Sequence, residues 1–576
     1  MTRLFNDPSD FPEEARLGLV AAHRDKLMAV PGGVVRSTRS EPGTVAVVIG
    51  GGSGHYPTFA GLVGQGLAHG AVMGNLFTSP SAQQVYSVAK AADNGGGVLL
   101  AFGNYAGDVL HFGQARERLI AEGIRCEIVT ITDDVASASL DEFDKRRGIA
   151  GDLTVFKAAA AAAESGAGFD EVVAVAKEVN RRTRSFGVAF DGCTLPGAED
   201  ALFHVPAGKM AIGLGIHGEP GISEQDVPTA DGLAEMLVKR LLEEVPEGVE
   251  LKGARVVPVL NGLGTVKYEE LFVVYRRVDE LLREAGVEIV EPDVGELVTS
   301  LDMAGVSLTL FWLDDEMERL WKAPADTPAY RKGSVRPAEA IDPAEVESAT
   351  QREIPLATEA SKQLAGGAVA ALEALASTMD DKAEELGRID AVAGDGDHGI
   401  GMQRGSKACL EAAREALDGG AGAETVLRWA AERWADKAGG TSGAIWGVIL
   451  TSIGEALGDE QPMAAERLAA GVSAASDNVM SFGKAKPGDK TLVDVLVPFA
   501  ETLSAAVASG QGVVEAWAQA SERAQQAAQD TANLLPRMGR ARPLAEKSLG
   551  TPDAGAMSLA MITRALVPVL KRCEQA

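Results

Sequence analysis

The segment TVAVVIGGGSGH (44–55) decides the fold of the amino-terminal part of the chain. A run of β-branched and apolar residues, typical of a buried β-strand, leads directly into a loop with four glycines and a histidine. Glycines at a strand end let a small ligand approach backbone N–H groups, because no side chains intervene. A tight turn alone would rarely need this composition. The segment therefore predicts a strand followed by a ligand-binding loop.

The same alternation extends outward from this segment over about the first 320 residues. Further β-type runs lie at 96–102, 127–132, 254–260 and 306–313, and helical segments lie between them at 81–92, 154–165 and 232–244. Strands that alternate with helices long enough to be crossovers predict an α/β domain.

A proline-containing stretch interrupts this pattern at Pro324, Pro328, Pro337 and Pro343. After it, segments rich in Ala, Leu and Glu predict helices at 358–387, 405–417, 423–437, 462–481, 491–508, 513–535 and 553–575. We therefore predict an α/β domain at 1–325, a linker at 326–355 and an all-α domain at 356–576.

Composition narrows the classes of partner. The 576 residues carry a formal net charge of −28, which repels phosphate backbones and anionic lipid headgroups, so neither nucleic acid nor a membrane surface is expected as a partner. The four cysteines are far apart and show no zinc-ligand spacing. The charged, proline-containing amino end does not resemble a signal peptide. These features predict a cytoplasmic location.

Two further loops contain chemistry-bearing residues beside glycines. GNYAGD (103–108) follows a predicted strand and ends in Asp108. GLGIHGEPG (213–221) formally contains GxGxxG, but Pro220 stands where that fingerprint needs the start of a helix, so we predict no dinucleotide site there. Loops at the carboxyl ends of strands in an open sheet converge on one crevice. We therefore expect His55, Asp108 and His217 to meet in one pocket, although any single histidine is more often structural than catalytic.

The sharpest pattern in the second half is DAVAGDGDHG (390–399). Its carboxylates Asp390, Asp395 and Asp397 lie within eight residues and would repel each other unless a hard cation or protons intervened. Mg²⁺ completed by nucleotide phosphates is the natural match. An EF-hand loop would need a bidentate Glu and other residue types that this stretch lacks. A solvated acidic turn is the alternative.

Two glycine-rich loops and a basic pair are candidates for phosphate contacts. GGTSG (439–443) precedes an apolar helical run, so amides and hydroxyls at a helix amino end would receive phosphate. GKAKPGDKT (483–491) is close to a Walker A loop, but Asp489 is inserted before Lys490 and a helical segment precedes it, so we reject a P-loop and retain a phosphate-binding loop of another type. Arg540 and Arg542 add positive charge near a nucleotide, or form a solvated basic turn.

With these motifs in view, the chain resembles the dihydroxyacetone kinase family, in the single-chain form that joins a ketose-binding domain to a nucleotide-binding domain. The resemblance covers nearly the whole length. Its motifs are GGGSGH (50–55), FTSP (77–80), NYAGD (104–108), RRGIAGD (146–152), GIHGEPG (215–221), NGLG (261–264), TSLDMAG (299–305), GDGDHG (394–399), GGTSG (439–443), KPGDKT (486–491) and PDAGA (552–556). It implies a first domain of two α/β subdomains and a second domain that is a barrel of antiparallel helices.

The resemblance also implies roles in an ATP-dependent phosphorylation of a short ketose. The imidazole of His217 would add to the ketone carbonyl and hold the substrate as a covalent hemiaminal. Asp108 would take the proton of the attacking terminal hydroxyl, with His55 as its polar partner. Gly52, Ser53 and Ser79 would line the pocket.

In the second domain the resemblance implies that Asp390, Asp395 and Asp397 bind two Mg²⁺ ions bridging the phosphates of ATP. Phosphoryl transfer needs charge neutralisation and alignment more than covalent chemistry, so the pattern and the resemblance agree. The implied nucleotide contacts are His398, Gly399, Gly401, Thr441, Ser442, Gly488, Arg540, Asp553 and Gly555. A homodimer through the first domain is also implied.

Departures from the family pattern bear on the substrate. Gly103 and Ala106 stand where the family usually has Lys and Thr, which removes a cation and a hydroxyl beside Asp108. A four-carbon ketose such as erythrulose is therefore expected at least as strongly as dihydroxyacetone. Alternative functions are a ketose phosphotransferase fed by a phosphocarrier protein, a non-catalytic ketose-sensing regulator, and a side activity that cyclises flavin nucleotides.

Overall fold

The computed structural model describes residues 2–213, 215, 221–350, 352–392, 394, 396–438, 440–538 and 547–575. The chain divides into two compact units, Met1–Gln351 and Arg352–Ala576. Among these residues, four buried apolar clusters form the core of the first unit and one forms the core of the second.

One sheet of the first unit has six strands among the described residues. They are β1 (Leu27–Val30), β2 (Gly33–Arg36), β3 (Ala46–Ser53), β4 (Gly70–Leu76), β5 (Val98–Gly103) and β6 (Cys126–Ile131), in the order β1-β2-β4-β3-β5-β6. β3 pairs in parallel with both β4 and β5, and β5 pairs in parallel with β6. β3 is buried from Ala46 to Gly52 because its apolar side chains face helices on both sides. The carboxyl ends of β3, β4 and β5 therefore lie next to one another.

A second sheet follows in the same unit. Its strands are β7 (Thr183–Asp191), β8 (Lys209–Ile212), β9 (Ser223–Asp226), β10 (Arg255–Gly262), β11 (Glu288–Ile289), β12 (Asp293–Gly295) and β13 (Ala304–Leu313). The long strands β10, β13 and β7 pair antiparallel, and β8 and β9 continue the sheet beyond β7. The prediction of an α/β amino-terminal region is confirmed.

The helices of the first unit are α1 (Phe11–Ala22), α2 (Ala82–Ala92), α3 (Ala106–Ala121), α4 (Asp152–Glu164), α5 (Phe169–Arg181), α6 (Ala230–Leu242), α7 (Tyr268–Glu284), α8 (Asp315–Lys322) and α9 (Pro343–Thr350). The alanine-rich α4 is buried from Asp152 to Ala163. Its small side chains pack in a core that also contains Val47 of the first sheet and Val257 of the second. The two sheets thus share one core through this helix.

The stretch predicted as a linker is mostly folded onto the first unit. Strands β14 (Ala325–Asp326) and β15 (Arg331–Lys332) form a small ladder, and Tyr330 is buried with its hydroxyl group donating to Asp293 at 2.8 Å. Val346 of α9 is buried in another core cluster. The prolines interrupt the α/β pattern, but apolar side chains between them still find a core, and the boundary between the units falls after Gln351.

Within its described residues, the regular structure of the second unit is helical. Its helices are α10 (Glu359–Asp390), α11 (His398–Asp418), α12 (Ala423–Ala438), α13 (Gly440–Leu457), α14 (Ala465–Gly483), α15 (Val493–Ala508), α16 (Val513–Asp530) and α17 (Ala554–Gln575). Each helix packs against its neighbours in sequence, and α17 also packs against α10, which closes the ring. The predicted all-α carboxyl-terminal region is confirmed.

One helix within the described ranges, Ala554–Glu574, is apolar and long enough to cross a bilayer by length and composition alone. It is part of α17, and 44% of its apolar window is buried inside the protein. This feature alone is weak support for a membrane span.

Candidate active site

Three predicted site loops of the first unit follow adjacent strands and meet at one edge of the first sheet. The loop after β3 contains His55, the loop after β4 contains Ser79, and the loop after β5 leads into α3, whose first turn contains Asp108. The Ser79 hydroxyl group donates a hydrogen bond of 2.9 Å to Oδ2 of Asp108. Parallel pairing of these strands explains why residues far apart in sequence lie together.

Asp108 is 6% exposed and lies at the amino end of a helix. The helix dipole favours a negative charge there. The preceding Gly107 is needed for the approach of Ser79, because a Cβ atom at position 107 would lie 2.5 Å from the Ser79 hydroxyl oxygen. The chain thus builds a buried carboxylate with a hydroxyl donor, an arrangement suited to accepting a proton from a substrate hydroxyl.

His55 is buried, and its ring contacts the segment that precedes β13 of the second sheet. Its Nδ1 lies 2.7 Å from the backbone carbonyl oxygen of Thr299. A carbonyl oxygen only accepts hydrogen bonds, so Nδ1 carries a proton, and in the neutral ring Nε2 is the acceptor. The ring also stacks at an angle on Phe77, with 5.1 Å between ring centroids. The imidazole is therefore fixed in both orientation and tautomer.

The predicted pocket residues Gly52 and Ser53 serve the packing of this loop. A Cβ atom at Gly52 would lie 2.7 Å from the backbone nitrogen of Thr78, so only glycine fits between the two loops. The Ser53 hydroxyl group donates to the carbonyl oxygen of Gly74 at 2.6 Å. Both residues stand at the site edge, and these contacts tie the end of β3 to the end of β4.

Two bulky residues that brace this loop were not singled out from the sequence. Phe77 and Leu301 both adopt left-handed backbone conformations, with φ of 50° and 51°. The backbone nitrogen of Phe77 donates to the carbonyl oxygen of Ser53, and that of Leu301 donates to the carbonyl oxygen of Gly54. Such conformations in bulky residues are costly and concentrate at functional sites. The motif FTSP contains Phe77 and the motif TSLDMAG contains Leu301, but neither sequence indicates a left-handed backbone conformation.

His217 lies outside the described residues, in the connection between β8 and β9. That connection begins at Gly213, which contacts the RRGIAGD segment (146–152). Arg147 forms an ion pair of 2.8 Å with Asp134 and donates to the carbonyl oxygen of Gly213 at 3.2 Å. The connection that contains His217 therefore begins beside the turn that leads into α4.

In the second unit, Asp390 ends α10 and Asp397 directly precedes α11, so both flank one tight turn. A Cβ atom at Gly394 would lie 2.5 Å from Oδ1 of Asp390, so the turn folds closely over this carboxylate. Asp395, the third predicted Mg²⁺ ligand, lies outside the described residues. The carboxylates of Asp390 and Asp397 are oxygen donors of the kind that hard cations prefer, so they fit Mg²⁺.

The first turn of α11 contains three predicted nucleotide contacts. The ring Nε2 of His398 lies 3.1 Å from the Ser558 hydroxyl oxygen, and burial lowers the pKa of this histidine despite the opposing charge of Asp390. Gly399 allows α10 and α11 to touch, because a Cβ atom there would lie 1.9 Å from the carbonyl oxygen of Ala383. Gly401 faces the carboxyl end of α12 at Ala438.

Thr441 and Ser442 are exposed in the first turn of α13, where a helix amino end presents N–H groups and hydroxyls. Gly488 lies in a loop braced by Asp494, whose carboxylate accepts from the backbone nitrogens of Gly488 and Thr491. Arg540 lies outside the described residues.

A pocket at the end of α10 brings Asp390 and Asp553 together with Lys490. Asp553 caps α17 by accepting from the backbone nitrogen of Ala556 at 2.8 Å, and burial raises its pKa to about 6. Gly555 lies beside this carboxylate, because a Cβ atom at position 555 would be 3.2 Å from Oδ1 of Asp553.

Lys490 was not predicted from the sequence as a site residue. It is buried, with φ of 59°, and its Nζ donates to the carbonyl oxygen of Ser548 at 2.7 Å. Its signals in the sequence were the near match to a Walker A loop and the motif KPGDKT (486–491).

Comparisons with known proteins agree with this arrangement. A Dak1 domain model matches residues 17–329, and a DAK2 domain model matches residues 392–568. The chain is 64% identical over 572 residues to an L-erythrulose kinase of Pectobacterium atrosepticum, covering 99% of this chain and 97% of that protein. It is 54% identical over 569 residues to a D-erythrulose kinase of Mycolicibacterium smegmatis, covering 98% of each.

A solved structure extends the likeness to the fold. The dihydroxyacetone kinase of C. freundii in complex with AMP-PNP and Mg²⁺ is 29% identical, with a TM-score of 0.52, and the match covers 98% of this chain and 99% of that one. The family predicted from the sequence motifs is confirmed. The chain belongs to the dihydroxyacetone kinase family and is a kinase of that family.

Proposed function

We propose that the chain transfers the terminal phosphoryl group of ATP to a terminal hydroxyl group of erythrulose. The observation that carries this proposal is the Ser79–Asp108 pair at the strand ends beside His55, in a chain whose relatives at 64% and 54% identity are named erythrulose kinases. Those relatives are named for opposite enantiomers, so the handedness of the substrate is left to measurement.

In the first unit, Asp108 accepts the proton of the attacking hydroxyl group, and the Ser79 hydroxyl group holds the carboxylate in place. His55, with its proton on Nδ1, offers Nε2 to a substrate hydroxyl. His217 forms a covalent hemiaminal with the ketone: a ring nitrogen bonds to the carbonyl carbon as the C=O π bond breaks, the ring loses its N–H proton, and the former carbonyl oxygen gains one to become a hydroxyl group. This linkage selects ketoses over polyols, which have no carbonyl group.

In the second unit, Asp390, Asp395 and Asp397 would hold two Mg²⁺ ions, and the bound ions would supply charge neutralisation at the phosphates. Thr441 and Ser442 at the start of α13 and the loop at Gly488 bind the phosphates. Asp553, Gly555, His398, Gly399 and Gly401 line the nucleotide site at the starts of α17 and α11, and Arg540 adds positive charge.

Three variants separate these roles. His217→Ala abolishes ketose binding in calorimetry and leaves nucleotide binding unchanged, whereas Asp395→Asn weakens Mg²⁺–nucleotide binding and leaves ketose binding unchanged. Asp108→Asn binds both but loses at least about 100-fold in kcat, because general-base catalysis contributes roughly 100- to 10,000-fold. Full turnover by His217→Ala would overturn the covalent role, and normal turnover by Asp108→Asn would remove Asp108 as the base.

A further inference from the structure

Asn261 is a buried amide that no step above uses. It lies one residue before the end of β10, in the motif NGLG, and is fully buried. Its Oδ1 accepts hydrogen bonds of 2.9 Å from the backbone nitrogens of both Leu297 and Val298. Its Nδ2 donates to the carbonyl oxygen of Val298 at 2.8 Å and to the Ser307 hydroxyl oxygen at 3.2 Å. Backbone N–H groups only donate, so these contacts fix which end of the amide is the oxygen.

The second sheet places this amide under the connection between β12 and β13. β10 lies between these two strands, pairing in parallel with β12 and antiparallel with β13. The connection (296–303) therefore passes over the carboxyl end of β10, where Asn261 lies. Ser307 is directly opposite Asn261 in the register of β13. The amide thus joins the sheet to the connection above it.

The same connection contacts His55. Thr299 directly follows Val298, and its carbonyl oxygen lies 2.7 Å from Nδ1 of His55. The Thr299 hydroxyl group donates to the carbonyl oxygen of Tyr56 at 2.8 Å. The carbonyl group that sets the tautomer of His55 is therefore one residue away from the backbone that Asn261 binds.

Removal of the Asn261 amide would disturb this carbonyl group. The N–H groups of Leu297 and Val298 would lose the oxygen that accepts from both of them. Buried N–H groups seldom stay unpaired, so the segment would shift toward another acceptor. The Thr299 carbonyl oxygen would move with it, and the His55 ring would be free to carry its proton on Nε2 instead. A ring nitrogen that carries the proton donates a hydrogen bond and no longer accepts one.

We propose that Asn261 is a positioning residue of the ketose site. It acts through the backbone of residues 297–299: its amide holds the Thr299 carbonyl group in place, and that group keeps the proton of His55 on Nδ1. Nε2 of His55 then stays an acceptor for a substrate hydroxyl group. This inference rests on the role of His55 in the proposed function and names the residue that maintains it.

The first test is a double-mutant cycle on the full-length enzyme with ATP, Mg²⁺ and the preferred erythrulose enantiomer. Asn261→Ala alone reduces kcat/KM for the ketose by about 10-fold, a coupling in the range of residues that share one hydrogen-bond network. In the His55→Ala background the same substitution changes kcat/KM by less than about twofold, because the group through which it acts is gone. The KM for ATP is unchanged in Asn261→Ala. An equal loss in both backgrounds, or no loss in either, overturns the inference.

Asn180→Ala is the matched control, because Asn180 is also a buried amide that binds backbone groups. Its Oδ1 accepts from the backbone nitrogen of Thr132 at 2.9 Å, and its Nδ2 donates to the carbonyl oxygen of Thr130 at 3.3 Å. Both threonines lie at the end of β6, which β5 separates from β3 and its loop. Any loss of kcat/KM in Asn180→Ala is therefore the same with and without His55.

The second test observes His55 directly. ¹⁵N NMR of histidine-labelled enzyme distinguishes a protonated ring nitrogen from an unprotonated one, and the His55→Ala spectrum identifies the His55 signals. At a pH at which the ring is neutral, we expect the proton on Nδ1 in the wild-type enzyme and in Asn180→Ala, and a mixture of both tautomers in Asn261→Ala. A His55 signal that is unchanged in Asn261→Ala overturns the inference.

If Asn261→Ala does not fold, Asn261→Ser takes its place in both tests, because its hydroxyl group retains one acceptor at this position. An Asn261→Ser enzyme with wild-type kcat/KM and a wild-type His55 signal, or with an equal loss in both backgrounds, overturns the inference. The NMR test needs no turnover. A wild-type enzyme that phosphorylates no ketose contradicts the proposed function, while the His55 spectrum still decides the role of Asn261, so the two failures are distinguishable.

Discussion

The Ser79 hydroxyl group lies 2.9 Å from Oδ2 of Asp108 and donates a hydrogen bond to it across the ends of β4 and α3. A hydrogen bond to a carboxylate is worth about 1.5–3 kcal/mol. Ser79→Ala is therefore expected to reduce kcat/KM for the ketose by roughly 10- to 100-fold. Steady-state kinetics at saturating ATP measure this change.

The control for that substitution is Ser165→Ala, because the Ser165 side chain is exposed and its hydroxyl group donates to the carbonyl oxygen of Ala162 at the carboxyl end of α4. It should leave kcat/KM within about twofold, since surface substitutions usually change stability by less than about 0.5 kcal/mol. A Ser79→Ala enzyme as active as the control would show that Asp108 needs no help from this hydroxyl group.

Lys490 ties the loop that contains Gly488 to the segment before α17 through the carbonyl and hydroxyl oxygens of Ser548. Lys490→Met leaves both oxygens without this donor and removes a positive charge near Asp553. The expected result is a KM for ATP about 10-fold higher and a lower melting temperature, because a lost charged hydrogen bond costs about 1.5–3 kcal/mol.

Lys486→Met is the matched control, because Lys486 is an exposed lysine of the same loop. Its KM for ATP should equal that of the wild-type enzyme. A Lys490→Met enzyme with an unchanged KM for ATP and an unchanged melting temperature would refute the role of Lys490 at the nucleotide site.

Asp553 makes stability depend on pH. Burial raises its pKa from 3.8 in the unfolded chain to about 6, so the folded protein binds the proton more tightly and stability falls as pH rises from about 4 to about 6. Asp553→Asn keeps the hydrogen bond from Ala556 and has no charge to bury. Its gain in melting temperature over the wild type should therefore be larger at pH 8 than at pH 4.5, measured without nucleotide or metal. An equal difference at both values would contradict the shift.

Much of the fold follows from local sequence patterns. The runs at 44–50 and 306–313 are rich in apolar and β-branched residues, so they predict β3 and β13 to within three residues at each end. β9 (Ser223–Asp226) is fully exposed and polar, so it has no apolar alternation to reveal it. Residues 326–350 contain several prolines, which is typical of a linker. They pack onto the first unit through tertiary contacts such as the burial of Tyr330, which the local sequence does not indicate.

The candidate site is predictable where glycine-rich loops follow strands. That pattern leads to His55 and Asp108, because parallel strands place their loops together. It gives no sign of Thr299 as the partner of His55, since the two are far apart in sequence, or of the left-handed Phe77 and Leu301. The predicted homodimer stays a prediction.

The central claim is tested most directly by coupled ADP release from ATP and Mg²⁺ with D-erythrulose, L-erythrulose, dihydroxyacetone and glycerol, with kcat/KM compared across the four. We expect one erythrulose enantiomer to exceed dihydroxyacetone by at least about 10-fold, because an extra buried hydrogen bond is worth about one factor of ten. Glycerol should show no turnover, because it has no carbonyl group for His217. Dihydroxyacetone equal to or better than both enantiomers would contradict the erythrulose assignment, and no ADP release with any ketose would contradict ATP-dependent phosphorylation itself.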